Sequence, residues 1–321
     1  MVGRIELPFR TIRGLARQAE VRHSVLRAVL SKIESNYRLV RIPKATPGEY
    51  RSLSIPKPTL KQIQRTIYDS ALKGIAISSS AHAYAPGRSI VSHARIHAGS
   101  TDFIQIDIKE FFPSVSPARV RVLFDELGFG SDVAQALTAL CTFQGGLPQG
   151  APTSPSISNA ILKHLDEDLD AYAVSRSCRY SRYADDLVIS GSSLDVADFE
   201  ATIALVAKHG FRINDRKSRL MMNPSKVIIT GISISSGVLK VPKSFKRQLR
   251  QMSHRLLVSP QLTISEDGHV DPFLFDRVIG RLTFWRMVEP EAVFPRRQIE
   301  LLVSRYPSGV VSSRPERLPF V

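Results

Sequence analysis

RYSRYADDLVIS, residues 179–190, sets two adjacent carboxylates, Asp185 and Asp186, inside a run that otherwise alternates like a β-strand. Asp has low strand propensity and neighbouring like charges repel, so such a pair needs compensation. A solvated turn is one solution, because Asp often occupies turns. A hairpin tip over Ala184 to Asp186 is another: alternation then points a side chain toward a shared site, where a divalent cation supplies the missing charge. A second isolated acid lies in TDFIQIDIKEFFPSV, residues 101–115. There Phe103, Gln105 and Asp107 alternate with Ile104, Ile106 and Ile108, which predicts a strand stopped by Pro113. Three hard oxygen ligands on two neighbouring strands are what two-metal phosphoryl transfer requires. One ion lowers the pKa of an attacking hydroxyl and the other stabilises the leaving pyrophosphate.

Composition points the same way. The 321 residues carry 44 Lys and Arg against 29 Asp and Glu, a net charge of +15, with a pI near 10.1. Such an excess repels itself in the folded state unless a polyanion neutralises it, and nucleic acid is the polyanion this balance suggests. A mean hydropathy of −0.05 fits a water-soluble globular chain, and no apolar run approaches the roughly 18–20 residues of a membrane span. The N-terminal MVGRIELPFR lacks the apolar core of a secretion signal. Cys141 and Cys178 have no metal-ligand spacing, so the expected compartment is a reducing cytoplasm.

Working outward, residues 11–35 show apolar positions at helical spacing, and RLVRIPKATPGEYRSLSIPKP predicts two strands around a Pro-Gly turn. LKQIQRTIYDSAL is expected as a helix burying Leu60, Ile63, Ile67 and Leu72. SPARVRVLFDELGFG predicts another, and a long helix is expected from about Ser156. SLDVADFEATIALVAKHG predicts an amphipathic helix ended by Gly210. Short strands are expected at FRIN, RLMM, KVIITGISIS and VLKVP. From Pro242 the pattern turns helical again. In PKSFKRQLRQMSHRLL, Phe245, Leu249, Met252 and Leu256 form one stripe, while Lys243, Lys246, Arg247, Arg250 and Arg255 crowd the remainder. That basic face suits a phosphate backbone, or is simply solvated. Two further helices are expected near 271–288 and 295–306. Strands and helices mixed without strict alternation define an α+β class.

With all these blocks in view, the chain resembles the reverse transcriptases. YADD between apolar strands is similar to the family's Tyr-x-Asp-Asp signature, FIQIDIKEFFPSV to its first catalytic block, and LPQGAPTSPSISNAI to its template and nucleotide block. GFRINDRKSRLM resembles the block with a nucleotide-contacting lysine, and IITGISIS the primer-grip hairpin. The likeness covers roughly residues 38–240. It implies a right-hand polymerase: N-terminal helices and fingers over 1–100, and a palm with a mixed antiparallel sheet over 101–235, with a fingers insertion near 117–150. A helical thumb over 236–306 and a tail over 307–321 follow.

The resemblance also implies roles. Asp107 and Asp185 would ligate two Mg²⁺ ions, with Asp186 as third acid and the Ile108 carbonyl as a further ligand. Phe112, five residues after Asp107, matches the position that stacks under the sugar and excludes a ribose 2′-hydroxyl. Phe111 is the better core residue, because successive strand residues face opposite ways. Gln149 would bond near the sugar, and Gly150 would leave room for the template. Lys44 and Arg51, seven apart on the predicted hairpin, would grip the triphosphate, Arg through its fork. Lys217 would neutralise the triphosphate or protonate pyrophosphate, with Arg216 and Arg219 close by.

Within the family, a compact chain of this size resembles the bacterial retron enzymes. HARIH, residues 93–97, keeps Ala94 and His97 of a retron block but has His for its Asn, and ITG at 229–231 stands for Val-Thr-Gly. His97, Thr230, Gly231, Lys243, Lys246, Arg247 and Arg250 would be RNA or primer contacts. The implied partners are a cognate structured non-coding RNA, the RNA–DNA hybrid made from it, deoxynucleotides and a possible effector protein, with no membrane. An intron-type or diversity-generating lineage, or a scaffold without catalysis, are the alternatives.

Overall fold

The structure, a computed structural model, describes residues 7–43, 48–235, 237–258 and 273–305. The expected Lys44 and the tail over 307–321 lie outside the described residues. The described chain forms two compact units: Met1–Pro86, Ile104–Ile189 and Leu194–Leu220 make the first, and Gly87–Phe103, Ser190–Ser193 and Met221–Val321 the second.

The first unit opens with short helices at Ile12–Gln18 and His23–Ser31. A hairpin of β1 (Tyr37–Pro43) and β2 (Tyr50–Pro56) follows, paired antiparallel with Ile42 opposite Arg51. The helix Pro58–Ile67 starts on a proline, which lacks the N–H that would be unsatisfied there anyway. Its Leu60, Ile63 and Ile67 are completely buried, as their spacing predicts. Truncating one of them to Ala costs roughly 2–5 kcal/mol, because the site collapses only partly around the lost atoms.

A four-stranded sheet is built from β3 (Asp102–Asp107), β4 (Arg179–Tyr183), β5 (Asp186–Gly191) and β6 (Arg219–Met222), in the order β4-β5-β3-β6. β3 and β5 run antiparallel, since the Thr101 N–H donates to the Gly191 carbonyl at one end and the Ile108 N–H to the Asp185 carbonyl at the other. Ile104, Ile106, Phe103 and Asp107 are all buried, so β3 is covered on both faces and not on one alone.

Three expectations are corrected. β3 ends at Asp107 and not at Pro113. Glu110 turns left-handed at φ +50°, and Phe111–Ser114 is one helical turn containing that proline. Phe111 is indeed the buried ring and Phe112 the half-buried one, but helical geometry separates them, not strand alternation. The long helix after the LPQG loop is two helices, Ser154–Ile161 and Lys163–Ser175, meeting at Leu162. FRIN contributes only an isolated bridge from Ile213 to Ile108.

The second unit contains the helix Ile90–Ile96, capped by Ser89, and the hairpin of β7 (Ile228–Ile229) and β8 (Ile232–Ser233). Its two turn residues, Thr230 and Gly231, both have positive φ, +46° and +83°, as tight hairpins require. Three helices, Lys243–Val258, Leu274–Val288 and Val293–Arg305, then pack around Leu249, Leu256, Val278, Leu282, Trp285 and Leu302. No described helix is long and apolar enough to cross a membrane.

Candidate active site

The opening stretch is a hairpin. Tyr183 ends β4, Asp186 begins β5, and Ala184 turns the chain between them in a left-handed conformation, φ +56°. The Ile108 N–H bonds to the Asp185 carbonyl at 3.0 Å, which pins the end of β3 to the tip of the turn. Asp107 is thus held beside Asp185 and Asp186. Its backbone is fixed from the other side, its carbonyl accepting from the Asn214 N–H at 2.8 Å and its N–H donating to Ser218 Oγ at 3.3 Å. These bonds bring Lys217 onto the site, where Nζ donates to Asp107 Oδ2 at 2.8 Å.

The electrostatics follow from burial. Asp186 is pushed up to about 7 by desolvation first, then by the charges of Asp185 and Asp107, with Lys217 pulling it back. Asp185 is also raised, again chiefly by burial and then by Asp107, opposed by a backbone hydrogen bond, Lys217 and Arg51. The Lys217 ammonium is raised, first by its bond to Asp107. Among the described residues no three His, Cys, Asp or Glu side chains form a ready-made metal cage. Asp107 is nevertheless near enough to raise the pKa of both Asp185 and Asp186, and Asp185 that of Asp186. Hard carboxylate oxygens carrying uncompensated charge are the donor set that suits a divalent cation.

The nucleotide-side candidates sit in the same unit. The Gln149 carbonyl accepts from the Ser54 N–H at 2.8 Å, joining the LPQG loop to β2, the strand that carries Arg51. Gly150 has φ +129°, and a Cβ there would stand 3.0 Å from the Ser54 carbonyl, so this seam requires glycine. The Leu147 N–H donates to the Phe112 carbonyl at 3.1 Å. A Cβ on Gly146 would lie 2.2 Å from the Pro113 carbonyl. The loop, the Phe112 turn and β2 are therefore one hydrogen-bonded assembly. Arg51 is exposed, and its charge reaches Asp185. Arg216 is exposed, whereas Arg219 bonds Gln105 Oε1 through Nη2 at 2.7 Å.

The RNA-side candidates belong to the second unit. The resemblance places His97 against RNA, but its ring is fully buried, with Nδ1 2.8 Å from Ser190 Oγ at the end of β5. It braces that strand and presents no surface. Lys243, Arg247 and Arg250 are exposed. Lys246 is instead committed inward, donating to Glu289 Oε2 at 2.7 Å and lying 5.1 Å from the Trp285 ring centroid. Arg250 stacks 5.2 Å from the Phe294 ring.

Two features were not legible as site residues. Arg182, three residues before Asp185, is completely buried. It makes two bonds of 2.7 Å to Asp166 and reaches Asn159 Oδ1 at 3.1 Å and the Ala184 carbonyl at 3.2 Å. Tyr180 adds its hydroxyl to Asp166 Oδ1 at 2.8 Å. Tyr84 is the second. Its ring centroid is 6.4 Å from that of Phe112, and burial and then Asp185 push its hydroxyl up to about 12.

An acid triad at adjoining strand ends of an antiparallel sheet, Asp107 buried and Asp185 and Asp186 half-buried, with a lysine on one carboxylate and a Gly-Pro loop beside it, is the palm of a right-hand polymerase. The profile of the family described as reverse transcriptase (RNA-dependent DNA polymerase) matches residues 42–234. The chain belongs to that family. Its relatives narrow the branch. It is 34% identical over 278 residues to the retron Mx65 reverse transcriptase of Myxococcus xanthus, covering 80% of this chain and 62% of the relative. It is 27% identical over 266 residues to the retron Ec86 reverse transcriptase of Escherichia coli, covering 82% of each. The chain thus spans less than two thirds of the first of these and about four fifths of the second. A solved foamy viral protease-reverse transcriptase in complex with double-stranded DNA aligns with a TM-score of 0.46 at 15% identity, over 84% of this chain and 43% of that one.

Proposed function

We propose that this chain is an RNA-directed DNA polymerase of the retron type. It copies part of a cognate structured non-coding RNA into branched, RNA-linked single-stranded DNA (msDNA), primed from a guanosine 2′-hydroxyl. The observation that carries the reading is the juxtaposition of Asp107, Asp185 and Asp186, where burial and neighbouring negative charge raise the carboxyl pKa of Asp185 and Asp186 and leave the site short of positive charge. Two Mg²⁺ ions held by these carboxylates and the Ile108 carbonyl would supply the charge that activates an attacking hydroxyl and neutralises leaving pyrophosphate.

The protein groups do the rest. Lys217 exchanges its bond to Asp107 for triphosphate oxygens, and Arg51 takes the outer phosphates through its fork. Gln149, fixed by the Ser54–Gln149 backbone bond, donates toward the sugar, and Gly150 leaves the template base its space. Phe112 lies under the sugar and leaves no room for a 2′-hydroxyl. The exposed Lys243, Arg247 and Arg250 hold RNA through its phosphates. The net charge of +15 supports such a partner. In this reading the protein works in the bacterial cytoplasm, and its hybrid product acts with an effector protein in defence against phage.

The Asp185→Asn variant tests the chemistry: DNA synthesis on the RNA is expected to disappear while RNA binding survives. Continued synthesis refutes the mechanism. Sequencing the nucleic acid that copurifies tests the retron reading, which requires DNA joined 2′–5′ to RNA. Linear product alone assigns the chain to another lineage.

A further inference from the structure

Tyr84 occupies a place that its local backbone resists. At φ +55° it is a left-handed aromatic residue, a conformation that persists only where its surroundings over-determine it, and such residues concentrate at active sites. The surroundings can be named. The segment before it lies along β4: the His82 N–H donates to the Arg182 carbonyl at 2.7 Å and the Arg182 N–H to the Ser80 carbonyl at 2.8 Å. Asn159 Nδ2 donates to the Ala83 carbonyl at 2.8 Å, while Asn159 Oδ1 accepts from Arg182 Nη1. The Arg182 guanidinium also holds the carbonyl of Ala184, the left-handed residue of the catalytic turn. One buried cation therefore braces both strained residues, directly at Ala184 and through Asn159 at Ala83.

What this arrangement delivers is a ring. Tyr84 is half-buried and packs at 43° to Phe112, and Phe112 leans at 5.0 Å on the buried Phe111. Phe112 thus has aromatic contacts on two sides, one from its own turn and one from Tyr84. Resting on the polymerase reading above, we propose that Tyr84 is a positioning residue for sugar selection, holding the Phe112 ring at the angle that excludes a 2′-hydroxyl, with Arg182 and Asn159 clamping the backbone that carries it.

The test is single-nucleotide incorporation by the full chain on an RNA template, comparing kcat/KM for dTTP and for UTP, alongside thermal melting. Tyr84→Leu, which fills space without a flat ring, is expected to lower the deoxynucleotide preference at least tenfold, with most of the change in the KM for UTP. Tyr84→Phe, which keeps the ring, is expected to stay within threefold of the wild-type preference. A folded Tyr84→Leu protein with wild-type preference overturns the proposal, and so does an equal loss in Tyr84→Phe, which would move the role to the hydroxyl. If Tyr84→Leu does not melt cooperatively, Asn159→Ala replaces it: release of the Ala83 carbonyl should lower the preference about threefold, and an unchanged ratio overturns the proposal. Failure of the underlying reading looks different. The wild type would then incorporate no dTTP, or Asp185→Asn would still incorporate it.

Discussion

Lys217 Nζ lies 2.8 Å from Asp107 Oδ2 and pulls down the pKa of both Asp185 and Asp186, favouring their ionised forms. Removing it with Lys217→Met takes away a positive charge from all three acids. The pKa values of Asp185 and Asp186 rise further, so at a given pH fewer of these carboxylates are ionised. The acid limb of the pH–rate profile for DNA synthesis should move to higher pH, by roughly half a unit to one unit, a loss of about 1 kcal/mol of charge stabilisation. Arg216→Met, an exposed neighbour, should leave the limb in place. A Lys217→Met profile superimposable on the wild type shows that the ammonium does not act on the acids.

Asp186 also links stability to pH. Its carboxyl titrates near 3.8 when unfolded and at about 7 in the fold, so between those values the native state holds more protons than the unfolded one. Its contribution is therefore full below pH 4 and is lost as pH rises toward 7 and beyond. In metal-free buffer Asp186→Asn should be more stable than the wild type at pH 8, on the order of 1–3 kcal/mol, with the difference vanishing near pH 4. Urea melts at both pH values decide it, and a difference independent of pH refutes the assignment. Adding Mg²⁺ should raise the wild-type melting temperature at pH 8 more than that of the variant.

Arg182 and Asp166 form an ion pair with no exposed side-chain surface on either partner. Removing one partner leaves the other charged and buried, which costs roughly 3–5 kcal/mol. Asp166→Asn is expected to lower stability by about that amount. The double variant Arg182→Met with Asp166→Leu should recover much of the loss, because neither charge remains to be solvated. DNA synthesis should not recover with it, since the Ala184 and Asn159 contacts are still missing. Recovery of both together would make the pair purely structural.

The strands that carry the three acids were readable because their pattern is local. Apolar alternation marks β3, β4 and β5, and the acids break it at the points where the sheet opens to the site. The end of β3 was not readable, because Phe111–Ser114 continues an apolar run whose helical turn is set by contacts with Leu147 and Gly146 far along the chain. Arg182 was missed for a related reason. A charged residue in sequence reads as surface until its counter-ion is found, and Asp166 lies on a separate helix, Lys163–Ser175. Tyr84 depends on long-range contacts through Arg182, Asn159 and Phe112, so nothing near it in the sequence signals its place.

The basic helix Lys243–Val258 divides its cations between two tasks, and the division can be measured. Lys246 is mostly buried, paired to Glu289, whose other oxygen accepts from the Val241 N–H at 2.8 Å. Lys246→Ala removes a charge-assisted bond worth roughly 1.5–3 kcal/mol and should lower the melting temperature while barely changing the salt dependence of RNA binding. Lys243 and Arg247 lie exposed one helical turn apart, so both can meet the same backbone. Replacing both with Ala should leave the melting temperature within a degree or so, weaken RNA binding, and reduce the slope of log K against log salt by about 1–2, since each phosphate contact releases counterions. Filter binding between low and moderate salt gives the slope. If Lys246→Ala flattens it as much as the double variant does, the inward ion pair opens on binding, and Lys246 joins the RNA face after all.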